Sequence, residues 1–499
     1  MSDSIDIGSG LFYLIITKNV GEVMSQENNE MKRSLETRHL SMIAIGGSIG
    51  TGLFLASGSA ISQAGPGGAL VAYALMGAMV FFLMTSLGEM ATYMPVSGSF
   101  STYATKFVDP AFGFALGWNY WFNWAITLAV EINTAAIIME YWLPDVPSWI
   151  FSVFFLAVIF TINATSGKSF GESEYWLSMI KVITVLVFIV VGLLTIFGIM
   201  GGQGPVGFGN FTTGEAPFVG GIPALLGVFV VAGFSFQGTE LIGITAGESA
   251  NPEESIPKAI KQVFWRIILF YIVSIFIIAM LIPYTSPNLL GGDVSDVSTS
   301  PFTLVFERAG LATAASVLNA VILTAVLSAG NSGLYASSRM LHSMAHSGQA
   351  LKLFGKVNKR GVPINAVILT TLVGALAFLS SIFGDGFYNL LLAASGLTGF
   401  IAWLGIAISH FRFRRAFKAQ NHDLSELKYK ARWFPFGPIL AVILCVLVIV
   451  GQDIQAFKDF DLKAILVTYM SIPLVLVLYI YYKVKHKTKL IPLKEIKLK

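Results

Sequence analysis

The sequence predicts an all-helical integral membrane protein, on three observations. The 499-residue chain is 55% hydrophobic and 12% charged, with a mean hydropathy of +0.72. Soluble domains carry about 25% charged residues, so this chain has too little polar surface to cover itself in water. Its apolar runs recur from end to end at about 20 residues each, the length a helix needs to cross a bilayer. Its cations fall almost wholly on one side of those runs.

Twelve spans are read in order: 40–64, 67–93, 112–142, 147–165, 173–200, 221–247, 262–284, 309–340, 363–383, 387–411, 435–452 and 462–483. With the N-terminus inside, all but four of the 32 lysines and arginines face the cytoplasm. The exceptions are Arg308, Lys458 and Lys463 outside, and Lys181 within the fifth span. The positive-inside rule then puts both ends in the cytoplasm, and an odd span count would scramble the asymmetry. The expected divisions are a cytoplasmic tail over 1–39, a twelve-helix domain over 40–483 and a basic cytoplasmic tail over 484–499. Residues 1–30 carry five acids against Lys18 alone and show no periodicity. They read as a disordered tail, with translation starting at Met24 or Met31 as the alternative. The apolar core at 11–16 is too short for a signal peptide. The tail from Lys483 onward reads as an orientation signal and an anionic-lipid contact, not a nucleic-acid patch. The single Cys445 excludes an intramolecular disulfide.

Two spans are interrupted. The first contains Gly-Gly-Ser-Ile-Gly-Thr-Gly at 46–52, and the sixth contains Gly-Phe-Ser-Phe-Gln-Gly-Thr-Glu at 233–240. Unsatisfied backbone groups cost several kcal/mol each in lipid, so a broken helix survives only where it lines a cavity or is buried in protein. Matching breaks in two halves point to a transport site at the membrane midplane. A half-helix restarting at Thr51 and Gly52 offers free N–H groups to a carboxylate. Carbonyls at Ser48, and near Phe234 and Gln237, would accept from an ammonium, so the two breaks together recognise a zwitterion. The Phe234 ring is a candidate gate over it, or ordinary packing. A phosphate loop is excluded, because no Lys-Ser/Thr follows and no strand precedes. Close packing through small residues explains the glycines but not their repetition at a matching position.

The residues also resemble a known family. Gly-Gly-Ser-Ile-Gly-Thr-Gly-Leu-Phe at 46–54, Ile-Ser-Gln-Ala-Gly-Pro-Gly-Gly at 61–68, Tyr-Met-Pro-Val-Ser-Gly-Ser at 93–99 and Gly-Trp-Asn-Tyr-Trp at 117–121 are similar to amino acid permeases of the amino acid–polyamine–organocation superfamily. Phe-Gln-Gly-Thr-Glu-Leu-Ile-Gly at 236–243, Leu-Thr-Ala-Val-Leu-Ser-Ala-Gly-Asn-Ser-Gly at 323–333 and Ile-Ala-Trp-Leu-Gly-Ile-Ala-Ile-Ser-His at 401–410 resemble the bacterial lysine-specific members. The resemblance implies the leucine-transporter-like fold, a 5+5 inverted repeat over about 40–200 and 221–411 plus two further helices. It implies proton-coupled import of a basic amino acid, most of all L-lysine, across a bacterial plasma membrane by alternating access. Arginine, ornithine, another amino acid, or exchange are the alternatives within that class; a lysine-binding membrane sensor is the alternative outside it.

Charges inside the membrane are functional candidates by default. Lys181, if span 5 starts near 173, sits about two turns from the cytoplasmic end. It either snorkels to that interface or, as the resemblance implies, stands in for a sodium ion, meeting helix 1 carbonyls and groups such as Ser328 or Asn331. Glu240 follows the second break directly and is a candidate proton carrier, side-chain ligand or structural group. Glu248 is nearer the cytoplasm and is a coupling or gating candidate. Glu131 in span 3 is a further candidate for a basic side chain, with polar packing as its alternative. Glu89 and Arg339 belong to gating or anchoring networks near helix ends. His342 and His346 have metal-like spacing but no third ligand nearby, so no metal is expected. Neither an enzyme's nucleophile constellation nor a Walker sequence is present, and no cofactor is expected; oligomeric state is not legible.

Overall fold

The computed structural model describes residues 31–290, 300–311, 314–376, 378 and 385–498. The alternative starts within 1–30 therefore lie outside the described residues, except for Met31 itself. Among the described residues the chain is helical, with one isolated bridge between Leu35 and Ser249. The helices that shape the site are α1 (Thr37–Gly46), α2 (Thr51–Phe54), α3 (Ser57–Tyr93), α4 (Ser99–Phe107), α5 (Pro110–Glu140), α6 (Ser148–Thr165) and α7 (Gly167–Ile196). They are followed by α8 (Gly221–Ser235), α9 (Leu241–Thr245), α10 (Pro252–Arg266), α11 (Val273–Leu281), α12 (Pro301–Arg308), α13 (Ala314–His346), α14 (Ile364–Gly374), α15 (Asp385–Ala419), α16 (Phe436–Gly451), α17 (Leu462–Tyr469) and α18 (Ser471–His486).

Among the described residues, six helices are long and apolar enough to cross a membrane: Ser57–Tyr93, Pro110–Glu140, Ser148–Thr165, Gly167–Ile196, Pro252–Leu281 and Ser316–His346. The pair α17 and α18, bent by 54°, makes a seventh if taken as one span. The chain is a multi-pass membrane protein.

Its centre is α5. Asp109 caps this helix, Oδ1 accepting from the Ala111 N–H at 2.9 Å, and Pro110 supplies a preset first residue. α5 packs against α13 and α15 on one side and α4, α6 and α14 around the rest, while α1 lies between α7 and α10. α6 and α7 instead carry exposed Phe154, Trp176, Ile183 and Val190, the surface expected of helices facing lipid.

One helix boundary falls where the sequence implied it and two differ. The first and second apolar runs part within α3 at Gly65 (φ 76°), ahead of Pro66, where the helix kinks. There a Cβ would lie 2.8 Å from the Pro217 carbonyl oxygen, so only glycine fits. α7 begins at Gly167, six residues before the expected 173, because Ser166 accepts from the Ser169 N–H at 3.0 Å and caps it. Lys181 is therefore about four turns in rather than two, and only 1% exposed, which removes the snorkelling alternative. α10 likewise starts at Pro252, so Arg266 lies deep in the helix pair and is buried, not a cytoplasmic cation.

Candidate functional site

Both glycine segments do interrupt their helices. α1 stops at Gly46, Gly50 is extended, and α2 restarts at Thr51. α8 stops at Ser235 and α9 restarts at Leu241. The two breaks lie back to back. A Cβ on Gly238 (φ 93°) would lie 2.6 Å from the Gly47 carbonyl oxygen, and one on Gly52 would lie 2.5 Å from Ser235 Cα. These glycines are required by backbone-to-backbone approach.

Two buried side chains stitch the breaks together. The Tyr271 hydroxyl lies 2.8 Å from both the Ser48 and the Ser235 carbonyl oxygens and 2.9 Å from Ser48 Oγ. Arg266 donates to the Ala44 carbonyl near the end of α1 and, at 2.9 Å, to Thr239 Oγ1. A cation there complements the negative end of α1 and satisfies a carbonyl the break leaves free. Sequence reading missed both residues as members of the site. Their only signal is polarity inside or beside an apolar run, without the glycine pattern that marked the breaks.

Between the breaks lies a cavity. Ser48, Thr51 and Gly52 line it from the first break, Phe234 and Gln237 from the second, and Trp124 and Glu131 from α5. The Thr51 and Gly52 N–H groups donate to no carbonyl among the described residues, as expected at a helix start. Glu131 is 5% exposed, and its Oε2 is buried with no hydrogen-bond partner, as is Trp124 Nε1. Unpaired buried polar atoms are costly, so a polar group entering the cavity would find hydrogen-bonding capacity at Glu131.

The other expected residues sit elsewhere. Glu240 does not line the cavity. It lies behind the second break, where Tyr120 Oη donates to it at 3.2 Å, Trp403 Nε1 at 3.0 Å and the Gly238 N–H at 3.2 Å. Lys181 Nζ donates to Ser328 Oγ at 2.9 Å, and no hydrogen bond joins it to the helix 1 carbonyls. Ser328 in turn donates to Glu174, which lies 3.9 Å from Lys181 and also accepts from Asn331 Nδ2 at 3.3 Å. Glu174 was missed, although Glu174, Ser178 and Lys181 share one face of α7 at i, i+4, i+7 spacing. That face abuts the first break, since a Cβ on Gly46 would lie 2.4 Å from Ser178 Cβ. Glu248 is remote from the cavity, paired with Arg339 Nε at 2.8 Å and accepting from Tyr335 Oη at 2.8 Å. Glu89 holds Arg414 and lies 3.2 Å from His410 Nε2. No cluster of three potential metal ligands occurs among the described residues.

Comparison with known proteins adds the family. The amino acid permease family model matches residues 39–494. The chain is 59% identical over 480 residues to a lysine-specific permease of Lactococcus lactis subsp. cremoris (strain MG1363), covering 95% of this chain and 94% of that one. It is 57% identical over 481 residues to the lysine-specific permease of Escherichia coli (strain K12), covering 96% and 98%. A histidine permease of the same Lactococcus strain is 54% identical over 474 residues, covering 95% and 99%.

Proposed function

The chain belongs to the amino acid permease family, and from that premise we propose that it is a proton-coupled importer of L-lysine. It is a transporter, not an enzyme. The twelve spans complete themselves if the broken pairs α1–α2 and α8–α9, the shorter apolar helices α14 and α16, α15, and the bent pair α17–α18 each cross once. On this reading the two repeats, about 40–200 and 221–411, bring their first helices together at the midplane, with both termini cytoplasmic. The site alternates between the two sides of the membrane.

The observation that supports the substrate is Glu131, whose Oε2 has no hydrogen-bond partner, in the wall of a cavity already furnished for a zwitterion. The substrate carboxylate takes the free N–H groups of Thr51 and Gly52. Its α-ammonium takes carbonyls of the two breaks, near Ser48, Phe234 and Gln237. A second ammonium then meets Glu131, which gives the site a reason to prefer a basic side chain. Glu240, already holding three donors, becomes a coupling or gating residue rather than a side-chain ligand. Lys181 with Ser328 and Glu174 forms the charge cluster that reports to the first break, and Glu248 with Arg339 a latch at the cytoplasmic end. The relatives named for lysine support this choice, and the histidine permease makes histidine the competitor to measure.

The test is equilibrium binding to the purified protein. Removing one partner of a buried charge pair costs about 2–5 kcal/mol, on the order of 30- to 4,000-fold in Kd. Glu131→Gln keeps the volume and one acceptor, so a loss toward the lower end is expected for lysine, with norleucine bound as by the parent protein. Unchanged lysine affinity in a folded Glu131→Gln protein removes Glu131 from the site.

A further inference from the structure

A second concavity lies away from the transport cavity, at the end of the molecule that holds the cations. It is a groove of about 790 Å³ between α3, α10 and the segment joining α15 to α16. Its floor is aromatic. Phe81 meets Phe264 edge to face at 5.7 Å, and Phe82 meets Trp433 at 6.3 Å and Phe436 at 5.7 Å. Trp265 and Trp433 stand 62% and 61% exposed at its rim. Its mouth is cationic, formed by Lys261, Lys428, Lys430 and Arg432. Among the described residues only Lys428 has an ion-pair partner there, Glu253, and no carboxylate lies within ion-pair reach of Lys261, Lys430 or Arg432.

The wall carrying these cations is fixed. The Ala431 N–H donates to Glu89 Oε2 at 2.6 Å, and Arg414, itself paired with Glu89, donates to the Ala431 carbonyl at 3.2 Å. The buried Glu89 therefore holds the 428–433 segment in place, with its basic side chains around an aromatic trough.

We propose that this groove binds an anionic phospholipid of the cytoplasmic leaflet. The phosphodiester lies among Lys261, Lys430 and Arg432, and the acyl chains run along Phe81, Phe264, Trp265 and Trp433. Charge and height both select this ligand. Three clustered cations without a direct ion pair among the described residues, Lys430 sensing Asp423 only at longer range, ask for an anion. On α10 the switch from charged Lys258 and Lys261 to apolar Phe264 and Trp265 within about one turn is the profile of the headgroup–acyl boundary, where tryptophan concentrates. A soluble anion would leave the aromatic trough uncovered. The proposal requires only that the chain spans the membrane with this end inside, and it is independent of the transported substrate.

The experiment measures thermal stability of the full-length protein in neutral detergent on adding phosphatidylglycerol, phosphatidylcholine or inorganic phosphate. Phosphatidylglycerol is expected to stabilise the parent protein, with phosphatidylcholine and phosphate far weaker. In Lys261→Gln/Lys430→Gln/Arg432→Gln its apparent affinity should fall about 10- to 100-fold, since each membrane-facing cation contributes roughly fivefold. A control with Lys352→Gln, Lys356→Gln and Lys359→Gln removes the same charge outside the groove and should behave as the parent. Trp265→Ala/Trp433→Ala, which alters only exposed rings, should also weaken the response and serves if the first variant does not fold. A parent-like response in both groove variants, an equal loss in the control, or full stabilisation by phosphate alone overturns the proposal.

Discussion

Lys181, Glu240 and Glu131 are three buried ionisable groups with different hydrogen-bond partners, Lys181 and Glu131 also feeling each other's charge, and those partners divide the work. Lys181 has one hydrogen bond, to Ser328, and a carboxylate, Glu174, at 3.9 Å that Ser328 also contacts. Replacing the lysine leaves Glu174 buried without its cation, a loss of about 3–5 kcal/mol where it is not relieved by protonation. Lys181→Ala is therefore expected to lower proton-driven accumulation more than equilibrium lysine binding, and Lys181→Ala/Glu174→Gln to recover stability but not accumulation. Equal accumulation by Lys181→Ala and the parent protein would place coupling elsewhere. Glu240 accepts from three donors, whereas an amide offers one acceptor oxygen and a donor nitrogen. In Glu240→Gln the amide oxygen can keep Trp403 Nε1 and the Gly238 N–H while its nitrogen donates to the Tyr120 oxygen, so the charge is removed with the contacts kept. Lysine–lysine exchange retained with concentrative uptake lost is the outcome expected of a coupling residue; loss of exchange, with selectivity drifting to norleucine, would return Glu240 to side-chain binding. The sequence showed that these groups were charged and intramembrane. It did not show that Glu131 faces the cavity and Glu240 faces away, because α5 is buried nearly all round and Glu240 lies in a break where helical periodicity fixes no direction.

The broken helices were the most legible elements, because glycine at 46–52 and 233–240 is a backbone requirement rather than a side-chain preference. What they touch was not legible. The closest approach of Gly52 is to Ser235 of the other break, so even a methyl group collides with backbone. Gly52→Ala should abolish transport with membrane insertion intact, and Gly52→Val should do the same; parent-like lysine binding by Gly52→Ala would mean the breaks can separate without cost. Element starts differ from the apolar runs where a helix begins in polar sequence ahead of them, at Gly167 behind the Ser166 cap and at Pro252, whose preset φ suits a first helical turn. Asp109 is a cap of this kind at the edge of the membrane. Burial opposes ionisation of its carboxyl, but the Lys483 ammonium, the Thr488 hydroxyl and the Ala111 N–H together hold it below the ordinary carboxylate range. A lowered native value stabilises the fold above the unfolded value of about 3.9, with the contribution lost only as pH falls through the native value. Asp109→Asn, which can keep the cap but loses the Lys483 ion pair, is expected to cost at most about 1 kcal/mol in stability and to leave the pH profile of uptake between pH 5 and 8 unchanged. A shifted profile would give Asp109 a part in coupling.

At the scale of the molecule, a charge-poor chain has concentrated its intramembrane polarity into connected groups. The two breaks are tied by Tyr271 and Arg266, the Lys181 cluster abuts the first break, and the Glu248–Arg339 and Glu89–Arg414 pairs stand toward one end. Segments flanking the helical domain pack there too: the Leu35 N–H donates to the Glu248 carbonyl at 3.0 Å, and Gln420 Nε2 donates to the Leu493 and Ile496 carbonyls at 3.0 and 2.8 Å. The basic tail expected from sequence to rest on lipid thus packs in part on the protein, with Ile496 buried. Hydropathy could not reveal this, since alternating lysines and aliphatics give no span. Such an arrangement suits a carrier whose central site opens to one side at a time, and a carrier differs from a lysine sensor in one respect only, that it moves lysine. The direct measurement is uptake of labelled lysine by the purified protein in sealed vesicles, with an inward proton gradient imposed and then collapsed by a protonophore. The account predicts accumulation above the external concentration that falls to equilibration when the gradient is collapsed, competed by lysine more strongly than by histidine. Saturable lysine binding with no entry under either condition would contradict it.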